Sequence, residues 1–438
     1  MVKVCWVASI PLPVASLAIA VSSGILAAGG RFAFSRWEAV GLRVAIGQFG
    51  GPTAVINASL EGAIATLEEA GVETWGVFDG PHGLAKDHLQ PLDRLEIGAW
   101  TWLSRTPGAA LRAGRVVSFD ATAALAHLKR RAIDALIVMG GNGTMAMAQA
   151  LQDAAQSDGC GLRVIGVPKT IDNDIAGVDH APGFPSAANF VVKAVRDLTM
   201  DLEAMTGFEQ VRVIEVMGRR TGWLAAAAAF ARALWLEREK QSMAPHLIYL
   251  PERPIALASI LGEVERTVQS LGFAVVVTAE ELHDPSAQGA AAAVPAAMQV
   301  RQGGVGAMIA QAVRDHLGCG ARYENLGALQ RCWAESATAL DREEAYAQGA
   351  AAAARCVVGD GGFMVGLRRD HPEEGLYSTS PVTLPFTQVA GKERLLPDHF
   401  CRLDQEFLTW IKPLIEGIHP LQRLPRRVGV ESVQKGDR

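Results

Sequence analysis

The stretch Gly166-Val-Pro-Lys-Thr-Ile-Asp-Asn-Asp174 constrains the fold more than any other part of the 438-residue chain. The apolar run Leu162–Val167 before it predicts a buried strand, and Pro168 then denies further ladder pairing. The loop that follows carries one cation (Lys169), one hydroxyl (Thr170) and two carboxylates. Strands that end in such loops place ligands at the carboxyl edge of an α/β sheet. Asp172 and Asp174 are two positions apart, so an extended loop turns both to one side and Asn173 to the other. Paired carboxylates beside a lysine suit proton abstraction from a hydroxyl and charge control around a phosphoryl group. The plainer alternative is an Asx-turn loop with solvated charges.

The flanking sequence repeats the strand-then-helix theme. Further strands are expected at Val44–Gly47, Val72–Phe78, Ile133–Met139, Val211–Val216 and His246–Leu250. Helices are expected at Ala58–Ala70, Ala121–Arg131, Met145–Asp153, Ala225–Leu234 and Glu343–Arg355, with a turn at Gly80–Gly83. Such alternation argues for an α/β fold with doubly wound, mostly parallel sheets. Two strand-to-helix turns are glycine-rich: Gly50 with Gly51, and Gly140-Gly-Asn-Gly-Thr144. Both let backbone N–H groups approach a phosphate at a helix N-terminus. The second has neither the lysine of a P-loop nor the G-x-G-x-x-G spacing of a dinucleotide site. Arg219 and Arg220 open the Ala225–Leu234 helix, where cations are disfavoured unless they face an anion.

Hydrophobic content of 49% against 20% charged residues describes a well-buried chain, too long for one ordinary core. The balance of 41 basic and 46 acidic residues leaves no general footprint for nucleic acid. Six cysteines without a C-x-x-C pair fit reduced thiols in a cytoplasmic enzyme. Residues 1–40 differ: an apolar, proline-bearing leader that is read as lying outside the fold, ahead of a secretory signal or an anchor. The alanine-rich stretch 284–299 reads as a surface excursion. No membrane association is expected of the core.

Six motifs occur in order: Gly50–Ser59, Gly140–Thr144, Pro168–Asp174, Met217-Gly-Arg219 with Gly222-Trp223, Pro251-Glu252, and Leu326–Arg331. Together they resemble the 6-phosphofructokinase family across about residues 41–420, and Gly50–Ser59 and the tail lean toward its pyrophosphate-dependent branch. The resemblance implies two Rossmann-like lobes, mostly parallel sheets flanked by helices, with the active site between them. It implies a donor lobe at about 41–184 completed by about 330–385, a sugar-phosphate lobe at about 185–329, and a C-terminal extension at about 386–438. Transfer of a phosphoryl group from ATP to the 1-hydroxyl of fructose 6-phosphate is the implied reaction, with pyrophosphate as the alternative donor. A homodimer or homotetramer and Mg2+ are implied as well.

Carried over by position, Asp172 is the implied base, with Lys169, Thr170 and Arg219 at the transferring phosphoryl group. Gly50, Gly51, Arg115, Gly141, Asn142, Gly143 and Thr144 would bind the donor. Met217, Gly218, Glu252, Arg322 and Arg331 would bind the sugar phosphate, one arginine coming from a neighbouring subunit. Asp174, with Asn142, would serve the metal. Three positions depart from the pattern: Asn142 replaces a magnesium-associated aspartate, Gln210 a basic residue, and Ala328 a polar one. They keep a non-catalytic sugar-phosphate-binding paralogue open; a lipid or dinucleotide kinase is disfavoured by the Pro168–Asp174 and Met217–Arg219 motifs. Gly143 leaves room where the pyrophosphate branch carries an aspartate, which favours ATP, since Lys169 serves either donor.

Overall fold

The computed structural model describes residues 41–92, 102–114, 119–205, 207–234, 243–285, 304–370 and 377–419. The leader 1–40 and nearly all of the 284–299 stretch lie outside them. Eleven strands are described: β1 Arg43–Gln48, β2 Glu73–Val77, β3 Leu89–Pro91, β4 Ala135–Gly140, β5 Arg163–Pro168, β6 Val211–Val216, β7 Leu247–Tyr249, β8 Ala274–Ala279, β9 Ala321–Asn325, β10 Phe363–Arg369 and β11 Thr379–Pro385. They form two sheets, ordered β11-β10-β5-β4-β1-β2-β3 and β7-β8-β6-β9. All pairings are parallel except β2 with β3 and β10 with β11. Strands β4, β6 and β8 are buried at every position, as expected where helices cover both faces. The fold is therefore α/β, as the alternation predicts.

Chain connectivity brings late sequence back to the first sheet. The helix Ala339–Val357 packs along Ile56–Glu69 with backbones nearly touching. A Cβ on Gly62 would collide with the Tyr346 carbonyl, and one on Gly349 with that of Ser59. Strand β10 then lies beside β5 at the register Phe363 to Ile165.

Residues 386–414 run across both cores. Phe386 and Val389 fill the core beneath the first sheet. Phe400, Phe407, Ile411 and Leu414 join Trp223 and Phe184 in the core shared with β6 and β8. Among the described residues, no helix is long and apolar enough to cross a membrane.

Two local expectations change. Gly80–Gly83 belongs to a short helix, Gly80–Ala85, because Asp79 takes the left-handed φ of 64° and turns the chain before the helix starts. The Ala225–Leu234 stretch is an α-helix at Trp223–Ala227 that tightens to a 3₁₀-helix at Ala228–Leu234.

Candidate active site

The site forms where β1, β4 and β5 of the first sheet and β6 of the second release their carboxyl ends. The Lys169 amide still pairs with the Gly140 carbonyl at 3.0 Å, so the loop leaves β5 beside the second glycine turn. Lys169 is buried and donates from Nζ to the Gly51 carbonyl, which ties the first glycine turn to the loop. At Gly50 φ is +76°, and an added Cβ would lie 3.4 Å from that ammonium.

Beyond Lys169 a chain of side-chain bonds fixes the acidic residues. The Thr170 hydroxyl accepts from the Asp172 amide at 3.1 Å and donates to Asp174 Oδ1 at 3.1 Å. Asn142 donates from Nδ2 to Asp174 Oδ2 and to the Asp174 carbonyl. Asn173 turns the other way. It is buried and accepts from the Ala181 amide at 3.1 Å, but its left-handed φ of 53° corrects the expectation of an extended loop: a local turn separates it from its neighbours. Burial pushes the Asp174 carboxyl up, against the bonds from Thr170 and Asn142, and nearby Glu393 adds to the rise.

Helix Asn142–Ser157 begins at Gly141 without a side-chain cap; the Thr144 amide donates to the Gly141 carbonyl at 2.9 Å, which leaves the first two amides, of Asn142 and Gly143, to face a ligand. An added Cβ on Gly143 would meet nothing within 4 Å. Thr144, by contrast, is packed against Gly140 and buried.

From the second sheet, Met217 donates its amide to Gln330 Oε1 at 3.0 Å, which brings the neighbouring Arg331 to the same end of β6. At Gly218 φ is +117° and a Cβ would fall 2.6 Å from the Thr221 carbonyl, so this turn requires glycine. Thr221 donates to the Asp172 carbonyl at 3.1 Å and joins the two sheets at the acidic loop. Arg219 is half exposed, 3.8 Å from Glu280. Glu252 accepts from the Gly222 and Leu396 amides, both at 2.9 Å, through Oε1. Its Oε2 is buried without a hydrogen-bond partner.

One residue stands apart. Arg322 pairs in register with Arg212, five residues before Met217 on the neighbouring strand, or roughly 16 Å along it. Its guanidinium meets the buried Glu209 at 2.5 Å. Arg115 lies outside the described residues. Glu280 and Arg394 adjoin the site yet escape the sequence reading. Glu280 was findable, because it follows the apolar run of β8; Arg394 sits in irregular chain that carries no motif.

Among the described residues, no group of three or more His, Cys, Asp or Glu side chains is placed to hold a metal. The Asp174 carboxylate and the buried, unpartnered Asn142 Oδ1 are nevertheless the oxygen donors that fit Mg2+. That ion commonly takes one or two protein oxygens and completes its shell with phosphates and water.

A family model described as Phosphofructokinase matches residues 43–356. The chain is 39% identical over 378 residues to a sulfofructose kinase of Alkalicoccus urumqiensis, covering 86% of this chain and 96% of that one. It is 31% identical over 392 residues to a pyrophosphate–fructose 6-phosphate 1-phosphotransferase of Rhodospirillum rubrum, covering 85% and 94%. The crystal structure of a pyrophosphate-dependent phosphofructokinase from Marinobacter aquaeolei superposes with a TM-score of 0.76 at 29% identity, covering 88% and 95%.

Proposed function

Because this chain belongs to the phosphofructokinase family, we propose that it moves the γ-phosphoryl group of ATP to the 1-hydroxyl of a fructose carrying an anionic group. The observation that carries the reading is the Thr221 bond to the Asp172 carbonyl, which sets the acidic loop against the Met217–Arg219 turn. Asp172 takes the proton from the 1-hydroxyl as that oxygen attacks phosphorus. The bond to the β-phosphate oxygen breaks, and the leaving diphosphate carries the electron pair away. Lys169, Arg219 and the first-turn amides of Asn142–Ser157 receive the negative charge that spreads over the transferring group. Thr170 holds Asp174 in place. Asp174 and Asn142 would hold Mg2+, which when bound neutralises charge on the donor phosphates. Open space at Gly143 supports ATP, and pyrophosphate is the alternative donor.

The acceptor's anion is the finer choice, and charge favours a sulfonate over a phosphate. Arg322 already faces Glu209, Gln210 spends its Oε1 on the Gly320 amide, and position 328 is alanine. Arg331 is then the one uncommitted cation among these candidates, which suits a monoanion better than a near-dianion. The sulfofructose kinase relative points the same way. Fructose 6-phosphate is the second reading, supported by the Rhodospirillum relative. The test pairs ATP and pyrophosphate with sulfofructose and fructose 6-phosphate, with product identified by phosphorus NMR. Turnover only with fructose 6-phosphate overturns the sulfonate reading; absence of turnover with all four pairs overturns the enzyme.

A further inference from the structure

We infer that the segment 393–396 is a strap that registers the two halves of the site, and that Arg394 is its positioning residue. The segment reaches both sheets through several independent bonds. Toward the acidic loop, the Arg394 amide donates to the Asp174 carbonyl at 2.8 Å, and Ile175 and Glu393 form an antiparallel bridge. Toward the second sheet, Trp223 donates from Nε1 to the Arg394 carbonyl at 3.4 Å, and the Leu396 amide donates to Glu252 Oε1 at 2.9 Å. Glu393 also pairs with Arg220 at 3.0 Å. Four site segments, at 172–175, 220, 223 and 252, are thus bonded to three residues of one short stretch, Glu393, Arg394 and Leu396.

The Arg394 side chain locks this arrangement. Its guanidinium lies 4.3 Å from the centre of the Trp223 ring and donates to the Asp179 carbonyl. A guanidinium over an indole that also donates to a backbone carbonyl uses features that separate arginine from lysine. The backbone carbonyl of Asp174 accepts from Asn142 on one side and from Arg394 on the other. Displacing the strap therefore removes one of the two bonds to the Asp174 carbonyl and loosens the residue assigned above to the donor phosphates. The positioning role rests on the phosphotransferase reading, but the strap's mechanical role does not.

Two measurements on the full chain keep those apart. Hydrogen–deuterium exchange of Arg394→Lys should quicken the amides of 172–175 and 220–223 at least tenfold while β1 and β4 keep their protection. Unchanged exchange in both segments overturns the strap, whether or not the protein turns over. For catalysis, Arg394→Lys should lower kcat about tenfold with both KM values within about threefold. On an Asp174→Asn background the same change should cost almost nothing further. Multiplicative losses would show that Arg394 does not act through Asp174. If Arg394→Lys does not fold, Trp223→Phe keeps an aromatic ring in this buried position, removes the bond to the Arg394 carbonyl, and should show the same exchange pattern more weakly.

Discussion

Asn142 donates one amide group to both ends of Asp174, at 2.8 Å to Oδ2 and 2.9 Å to the carbonyl oxygen. The amide holds the carboxylate by hydrogen bonding and adds no charge of its own. Replacing Asn142 with Asp would set two carboxylates within hydrogen-bonding distance, where one must take up a proton. Asn142→Asp should therefore raise the already elevated Asp174 pKa and move the acid limb of kcat/KM to higher pH. It should also lower the Mg2+ concentration needed for half-maximal rate. A pH–rate profile at several Mg2+ concentrations checks both.

The base is tested by removing its charge. Asp172→Asn keeps the backbone bonds to Thr170 and Thr221, so the melting temperature should stay within a few degrees while kcat falls about 100-fold or more. A variant with near-normal kcat assigns the proton to another group.

Donor choice is tested at Gly143, where the variant has room to fold. Gly143→Asp should reduce kcat/KM for ATP by at least about tenfold, through crowding and like-charge repulsion at a donor phosphate. Its use of pyrophosphate should change far less. Equal losses on the two donors would place the effect in the helix and not in donor discrimination.

Acceptor charge is tested at Glu209, which neutralises Arg322. Glu209→Gln removes one carboxylate, at 2.7 Å, from the buried Arg212 but leaves it paired with Asp201 at 2.8 Å and Glu324 at 3.5 Å. Arg322 stands apart from its own subunit's site, so the released guanidinium can act only at a neighbouring subunit's acceptor, where it should shift kcat/KM several-fold toward fructose 6-phosphate relative to sulfofructose. No change in that ratio removes Arg322 from acceptor recognition.

A buried charge cluster gives a stability prediction. His180 is fully buried between Asp179 at 2.9 Å and Glu344 at 2.7 Å. Burial disfavours its charge, but the two carboxylates outweigh burial and raise its pKa from 6.5 to about 9. A raised histidine pKa contributes stability that is complete below 6.5 and lost as pH rises through about 9. The melting temperature should fall over that window, and His180→Gln should be less stable at pH 6.5 with a flatter dependence. Parallel curves for the two proteins would remove His180 as the cause.

The sequence made the first half of the site legible because its chemistry is local. Lys169, Thr170, Asp172 and Asp174 share one loop, and its position follows from an apolar run that Pro168 ends. Strand Val211–Val216 and the turn after it are equally local, since Gly218 serves a backbone conformation that few residues adopt. Relations set by the tertiary fold were not legible. Nothing in the sequence near Arg322 says that the buried Glu209 faces it. Nor does the chain near Arg394 say that Trp223 and Asp179 receive its guanidinium, because those partners are distant in sequence. The short helix at Gly80–Ala85 was hidden by glycine and proline, which signal a turn unless a left-handed residue such as Asp79 starts the coil first.

The placement of β10 beside β5 has a consequence for synthesis. The edge of β5 is complete at Pro168, whereas its neighbour begins at Phe363, about 200 residues later in the chain. At ribosomal speeds of about 5–20 residues per second, that edge emerges on the order of 10–40 seconds before its partner exists. An unpaired, apolar parallel strand is a template for pairing with other chains. The interval between the two strands thus makes the nascent chain, more than the finished protein, the form that needs protection from aggregation.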